Sequence, residues 1–132
     1  MSRRKVLVVD DELDTRIFIS TLLETSGYKP IVAMDGLEGI EKAKALRPEL
    51  IILDVMMPRE GGVYMYRQLK ADETLRSIPV IMLSGIAKKT FFHSQNLLNL
   101  YENHIVPEPE AYIEKPPEPE ELLQWTRNLL DL

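Results

Sequence analysis

Four consecutive apolar residues, Leu50-Ile51-Ile52-Leu53, run directly into Asp54. Side chains of a strand alternate between its two faces, so a run without polar alternation leaves neither face for water. The segment therefore reads as a central strand buried on both sides. Such a strand needs a layer of helices above and another below, the arrangement of a parallel α/β sheet. A chain of 132 residues with 45% hydrophobic content can build that core within one domain.

The remaining segments alternate accordingly. Lys5–Val9 reads as a first strand, rich in valine and stopped by two aspartates, and Glu12 to about Ser26 as a helix. That helix carries Leu13, Ile17 and Leu22/Leu23 at helical spacing, with Gly27 as its stop. Ile31–Ala33 is a short second strand. Gly36–Arg47 is a second helix with Leu37, Ile40, Ala43/Lys44 and Leu46 along it, ended by Pro48. After the central strand come a helix over Gly62–Ala71 and a strand over Pro79–Leu83. A helix over Lys88–Tyr101 (Phe91/Phe92, Gln95, Leu98 and Tyr101 on one side), a strand at Ala111–Glu114 and a helix over Glu118–Leu130 complete five βα units. The tetrapeptide Pro-Glu-Pro-Glu occurs at 107–110 and again at 117–120, flanking the fifth strand. Proline fixes φ and removes a donor, so both copies are expected to stiffen the chain there.

In an open parallel sheet, ligands sit beyond the carboxyl ends of the strands. The polar residues at those ends are Asp10 and Asp11, Asp54, Ser84 and Lys115. Singly each has a plainer reading: an Asp-Asp pair as a turn or helix N-cap, Ser84-Gly85 as a turn, Lys115 before Pro116 as a solvated loop lysine. Together they make chemical sense. Three carboxylates brought close repel one another unless a cation binds, and an all-oxygen set without His or Cys suits Mg2+ or Mn2+. A phosphoryl group on one carboxylate would still need a fixed positive charge, Lys115, and a hydroxyl donor, Ser84.

Charge and composition narrow the partners. The formal net charge is −5, which argues against direct contact with nucleic acid. It is concentrated in residues 101–121, where seven glutamates face one lysine. No cysteine is present, which excludes disulfides and thiolate metal sites and is compatible with a reducing cytoplasm. The apolar run behind the basic start Arg3-Arg4-Lys5 is too short for a signal-peptide core or a membrane span. A cytoplasmic location and no membrane contact are expected.

The motifs Val-Val-Asp10-Asp11-Glu12, Leu-Asp54-Val-Met-Met-Pro58, Ile-Met-Leu-Ser84-Gly85 and Ala-Tyr112-Ile-Glu-Lys115-Pro116 together resemble those of a response-regulator receiver domain, along nearly the whole chain. The resemblance implies a flavodoxin-like (βα)5 doubly wound sheet of strand order 2-1-3-4-5. It implies that Asp54 becomes an acyl phosphate on reaction with a sensor histidine kinase. Asp10, Asp11, Asp54 and the Met56 backbone carbonyl would bind the Mg2+, Lys115 and Ser84 would serve the phosphoryl group, and Tyr112 would be a switching aromatic responding to Ser84. The Lys115-Pro116 bond matches one that is commonly cis in the family. Such a domain catalyses only its own phosphorylation and dephosphorylation and is no enzyme otherwise. Its downstream partner would be a protein target or a histidine phosphotransfer protein, met through the face of the fourth helix, fifth strand and fifth helix.

The chain also departs from the family pattern. Pro58-Arg59-Glu60-Gly61-Gly62 replaces the commoner Pro-x-Met-Asp-Gly, and Gly85 stands where alanine is usual. Ser84 and Lys115 are 31 positions apart, more than is usual, with the excess within 91–110. That segment either tailors the output face for one partner or is an ordinary amphipathic helix with a longer loop. Trp125 reads as core from its helical spacing, or as part of a contact surface. Met56 and Ile86, two residues beyond Asp54 and Ser84, are apolar and cannot orient an attacking water, so a slowly decaying phosphorylated state is expected. Other readings are a receiver cut from a larger regulator, with a stand-alone protein favoured, a haloacid-dehalogenase-type phosphatase, and a flavodoxin-like cofactor binder. The phosphatase would want an aspartate where Met56 stands. The cofactor binder would want a phosphate loop where Asp10-Asp11-Glu12 stands.

Overall fold

A computed structural model describes residues 3–57, 61–87, 89–90 and 107–131. Five parallel strands, β1 (Lys5–Val9), β2 (Lys29–Ala33), β3 (Leu50–Asp54), β4 (Val80–Ser84) and β5 (Ala111–Glu114), form one sheet in the order β2-β1-β3-β4-β5. Four helices are described: α1 (Leu13–Thr25), α2 (Gly36–Leu46), α3 (Gly61–Ala71) and α4 (Pro119–Leu130). Apart from Lys89 and Thr90, the helix expected over 88–101 lies outside the described residues, as does most of segment 91–110.

The apolar run behaves as its pattern requires. Leu50, Ile51, Ile52 and Leu53 are all fully buried, and burial of each such side chain contributes roughly 1.5–3 kcal/mol before chain entropy is counted. Ile51 and Leu53 join Leu7, Val9, Ala43, Met65 and Leu69 in the core beneath α2 and α3. Leu50 and Ile52 face the other way, into the core of Val6, Val8, Ile19, Leu23 and Leu122 beneath α1 and α4.

Helix ends follow the local chemistry. Gly27 follows α1 at φ 96 and donates its N–H to the Glu24 carbonyl at 3.1 Å, a left-handed stop that suits glycine. Asp35 caps α2, its carboxylate accepting from Glu38 N–H at 2.8 Å. Pro119 takes the first position of α4, so the second Pro-Glu-Pro-Glu copy opens a helix instead of only stiffening a loop.

Three inward stripes differ from the expected ones. On α1, Leu13 and Ile17 are exposed (58% and 53%), and Ile19 and Leu23 are the buried residues. The first turns of α1 start at the carboxyl edge, where the strands end and none of the described elements covers Leu13 and Ile17. On α2, Leu37 and Leu46 are exposed, and the buried side is Gly36, Gly39 and Ala43. There α2 lies too close to α3 for larger residues: a Cβ on Gly39 would come 2.6 Å from the Met65 sulfur. On α4, Leu122, Leu123, Thr126 and Leu130 fill the inner side and leave Trp125 exposed, against its core reading.

Candidate functional site

Strands β1, β3, β4 and β5 are neighbours in the sheet although far apart in sequence. Their carboxyl ends therefore stand side by side. Val9 pairs with Leu53, Asp54 with Leu83, and Ser84 with Glu114. Asp10, Asp54, Ser84 and Lys115 are each at or directly after one of these ends, and the first three are buried (Asp10 and Ser84 fully).

Lys115 joins the set. Its Nζ lies 2.8 Å from Asp10 Oδ2, 3.2 Å from Asp54 Oδ2 and 3.2 Å from Glu12 Oε1. The other oxygen of each buried carboxylate accepts a backbone amide: Asp10 Oδ1 from Glu12 at 2.9 Å, Asp54 Oδ1 from Met56 at 2.9 Å. Both are Asx turns that aim the carboxylates across the crevice. Arg16, one turn into α1, donates to the Asp10 carbonyl at 2.7 Å and fixes that turn from its other side.

The electrostatics follow from one ammonium shared among several carboxylates. Burial raises the Asp54 pKa and the Asp10 charge adds to it, against the opposing pull of the Met56 amide and Lys115. Burial alone would lower Lys115, but its hydrogen bond to Asp10 and the charges of Asp54 and Asp10 outweigh that and the net shift is upward. Among the described residues, Lys115 thus sets one ammonium against Asp10, Asp54 and Glu12.

Asp10, Asp11, Glu12 and Asp54 each bring a carboxylate oxygen within 4.8 Å of the others. The donors are all oxygens, and two of the four carboxylates are buried, where uncompensated charge is costly. The residues fit a hard divalent cation such as Mg2+ or Mn2+. Met56 is part of the same loop, its side chain 52% exposed.

Ser84 sits deeper. Its Oγ accepts the Ile86 N–H at 3.0 Å, and its carbonyl accepts the Lys115 N–H at 2.7 Å. The half-buried Tyr112 donates its hydroxyl to the Ile86 carbonyl at 2.7 Å. Burial raises the Tyr112 pKa, while hydrogen bonding with Ser84 pulls the other way. The Lys115-Pro116 bond is cis, as the motif implied.

The expected site residues are thus gathered at one edge, and two neighbours that had drawn no separate attention join them. Glu12 had stood only as the end of an acidic run and a helix start, and it proves to be a third partner of Lys115. Arg16 carried no signal in the sequence, since a basic residue early in a helix is ordinary.

Comparison with known proteins gives one family. A profile of the response regulator receiver domain matches residues 6–127. The chain is 38% identical over 128 residues to hybrid signal transduction histidine kinase D of Dictyostelium discoideum, covering 96% of this chain and 8% of that protein. It is 38% identical over 89 residues to the polar-differentiation response regulator DivK of Brucella anthropi, covering 67% of this chain and 72% of that one. Among solved structures, the chemotaxis response regulator CheY4 of Vibrio cholerae superposes with a TM-score of 0.81 at 27% identity, over 98% of this chain and 100% of that one.

Proposed function

The chain belongs to the response regulator receiver domain family of two-component signalling, and on that premise we propose that Asp54 is its phosphoacceptor. A carboxylate oxygen of Asp54 attacks the phosphorus of a kinase phosphohistidine. The P–N bond breaks, its electron pair stays with the imidazole, and Asp54 holds the acyl phosphate. The protein supplies position and charge: Lys115 meets the developing negative charge, and the Ser84 hydroxyl donates to a phosphoryl oxygen. Asp10, Asp11, Asp54 and the Met56 carbonyl hold Mg2+ or Mn2+, which when bound offsets the carboxylates' charge at the phosphoryl group. In this reading the chain catalyses only its own phosphorylation and dephosphorylation.

The observation that carries the proposal is the contact of Lys115 Nζ with both buried carboxylates, Asp10 at 2.8 Å and Asp54 at 3.2 Å, at the carboxyl edge of neighbouring strands. Phosphorylation replaces one carboxylate charge by roughly two negative charges and adds acceptor oxygens. Ser84 is drawn to them, and Tyr112, which hydrogen-bonds with Ser84 and with Ile86, responds. Residues 1–132 act in this reading as one receiver that meets a sensor histidine kinase in the cytoplasm and passes the signal to a protein target or a phosphotransfer protein. The match to a small part of a hybrid kinase favours a second reading, a receiver within a larger protein.

Acetyl phosphate with Mg2+ provides the test. Intact-mass analysis is expected to show one phosphoryl group per chain, absent when EDTA replaces Mg2+ and absent from Asp54→Ala. Labelling that persists in Asp54→Ala, or repeated turnover of a phosphate ester, overturns the proposal in favour of another acceptor or a phosphatase.

A further inference from the structure

The oxygens that Lys115 holds are Oδ2 of Asp10 and Oδ2 of Asp54, the ones not tied to a backbone amide. A cation drawn to these carboxylates therefore competes with the ammonium for the same atoms. Glu12 stands differently. Its backbone is fixed, the amide donating to Asp10 and the carbonyl accepting from Arg16 N–H at 3.1 Å. Its side chain is 65% exposed, and the hydrogen bond described for its carboxylate is the one from Lys115 at 3.2 Å.

We propose that Glu12 is the positioning residue for Lys115, keeping hold of the ammonium when a divalent cation takes the Oδ2 atoms of Asp10 and Asp54. The inference rests on the metal-assisted reading of the site above. Without Glu12, Lys115 must either stay on the buried oxygens and oppose the cation or swing into solvent, away from where a phosphoryl group arrives. With Glu12, the lysine moves by the width of one hydrogen bond and stays at the crevice rim. An exposed pair suits this task because it is weak enough to be left again when Asp54 carries phosphate.

The Lys115 ammonium can be watched directly by lysine-selective 1H–15N correlation, with its signal identified by its disappearance in Lys115→Arg. In the native chain the signal is expected to survive both without and with saturating Mg2+, because a carboxylate protects it in each state. In Glu12→Gln it survives without Mg2+, held by Asp10 and Asp54, and is lost to fast exchange with Mg2+. Mg2+ affinity, by calorimetry, falls about 2- to 5-fold in that variant, as befits an exposed charge pair. Glu12→Asp keeps the charge but withdraws it by one methylene: affinity returns close to native, and the signal is still lost with Mg2+. A Glu12→Gln signal that persists with Mg2+, or a native signal that disappears with it, overturns the role of Glu12. Mg2+ that shifts no amide of Asp10, Asp11 or Asp54 in the native chain overturns the reading of the site itself.

Discussion

Gly62 and Asp54 meet through their backbones: a Cβ on Gly62 would lie 2.2 Å from the Asp54 carbonyl oxygen and 2.4 Å from the Val55 Cα. The start of α3 is thereby seated on the end of β3, and the acceptor loop cannot shift without moving the helix. No flexible side chain is present to yield. Gly62→Ala is expected to destabilise the fold by about 1–3 kcal/mol in urea unfolding and to slow labelling of Asp54. Gly61→Ala is the control, because its nearest atom would lie 3.7 Å away, and alanine there is tolerated or stabilising by up to about 1 kcal/mol. Equal effects of the two substitutions would show that the close approach at Gly62 is unimportant.

The Asp54 charge opposes folding when no divalent cation is present. Burial, with the Asp10 charge added, raises its pKa above the ordinary 3.8, so the folded state holds the proton more tightly than the unfolded chain does. Stability from this group is therefore full below the ordinary carboxylate range and falls as pH rises through the raised value. Asp54→Asn is expected to raise Tm by a few degrees at neutral pH in EDTA, the gain vanishing below about pH 3.8. Saturating Mg2+ should reverse the order, stabilising the native chain by about 2.7 kcal/mol at a hundredfold excess over Kd and the variant by much less. A variant no more stable than the native chain in EDTA would contradict the burial effect.

The Pro107–Glu110 copy is tied to the body of the domain. Pro107 accepts the Tyr66 hydroxyl at 2.5 Å, and Glu110 Oε1 accepts the Val80 N–H at 2.7 Å with Lys70 at 4.0 Å. Glu110 is therefore more than acidic decoration: it satisfies the first amide of β4. Glu110→Ala is expected to leave that buried donor unpaired, cost about 1–3 kcal/mol, and speed amide exchange at Val80 in particular. Glu110→Gln keeps an acceptor and should largely preserve protection. Tyr66→Phe should cost only about 0.5–1.5 kcal/mol, since water can replace it at the exposed Pro107 carbonyl.

How far the molecule could be read in advance depended on how many interactions had to agree. Leu50–Leu53 was legible because both faces of a parallel strand impose the same demand, and the strand ends then located Asp10, Asp54, Ser84 and Lys115. Helix faces were less legible. Leu13, Ile17 and Leu37 are apolar at helical spacing, yet they lie where none of the described elements covers them or beside glycines packed more tightly than leucine permits. The roles of Arg16 and Glu110 were not legible, because each acts through a contact with one backbone group, the Asp10 carbonyl and the Val80 N–H, that no local pattern encodes. Most of segment 91–110 lies outside the described residues.

Met56 offers a handle on the lifetime of the phosphorylated state. Its amide is held on Asp54 while its side chain is 52% exposed, so a polar replacement can be accommodated without disturbing the core. An apolar chain cannot orient a water for attack on the acyl phosphate; an amide can. Met56→Asn is expected to speed loss of phosphate from Asp54 by roughly 10- to 100-fold, at or below the low end of what positioned proton-transfer groups contribute. Met56→Leu should leave the rate near native. Equal decay in all three chains, followed by acid-gel or mass analysis, would mean that hydrolysis is governed elsewhere.

Ser84 and Tyr112 are joined by hydrogen bonding between their side chains and through Ile86, whose amide donates to Ser84 Oγ and whose carbonyl accepts the Tyr112 hydroxyl. If Ser84 turns its hydroxyl toward a phosphoryl group, the Ile86 peptide loses one anchor and the other must readjust. The coupling is then limited by what these hydrogen bonds are worth, about 0.5–1.5 kcal/mol each. Removing the Tyr112 hydroxyl should therefore change the ratio of the two states by roughly 2- to 13-fold, enough to alter a switch and too little to prevent folding. In Tyr112→Phe, saturating acetyl phosphate should still label Asp54, while the shifts that phosphorylation induces in the β5 amides become smaller. Identical β5 shifts in the native chain and in Tyr112→Phe would place the route from the site to this face elsewhere than through the Tyr112 hydroxyl.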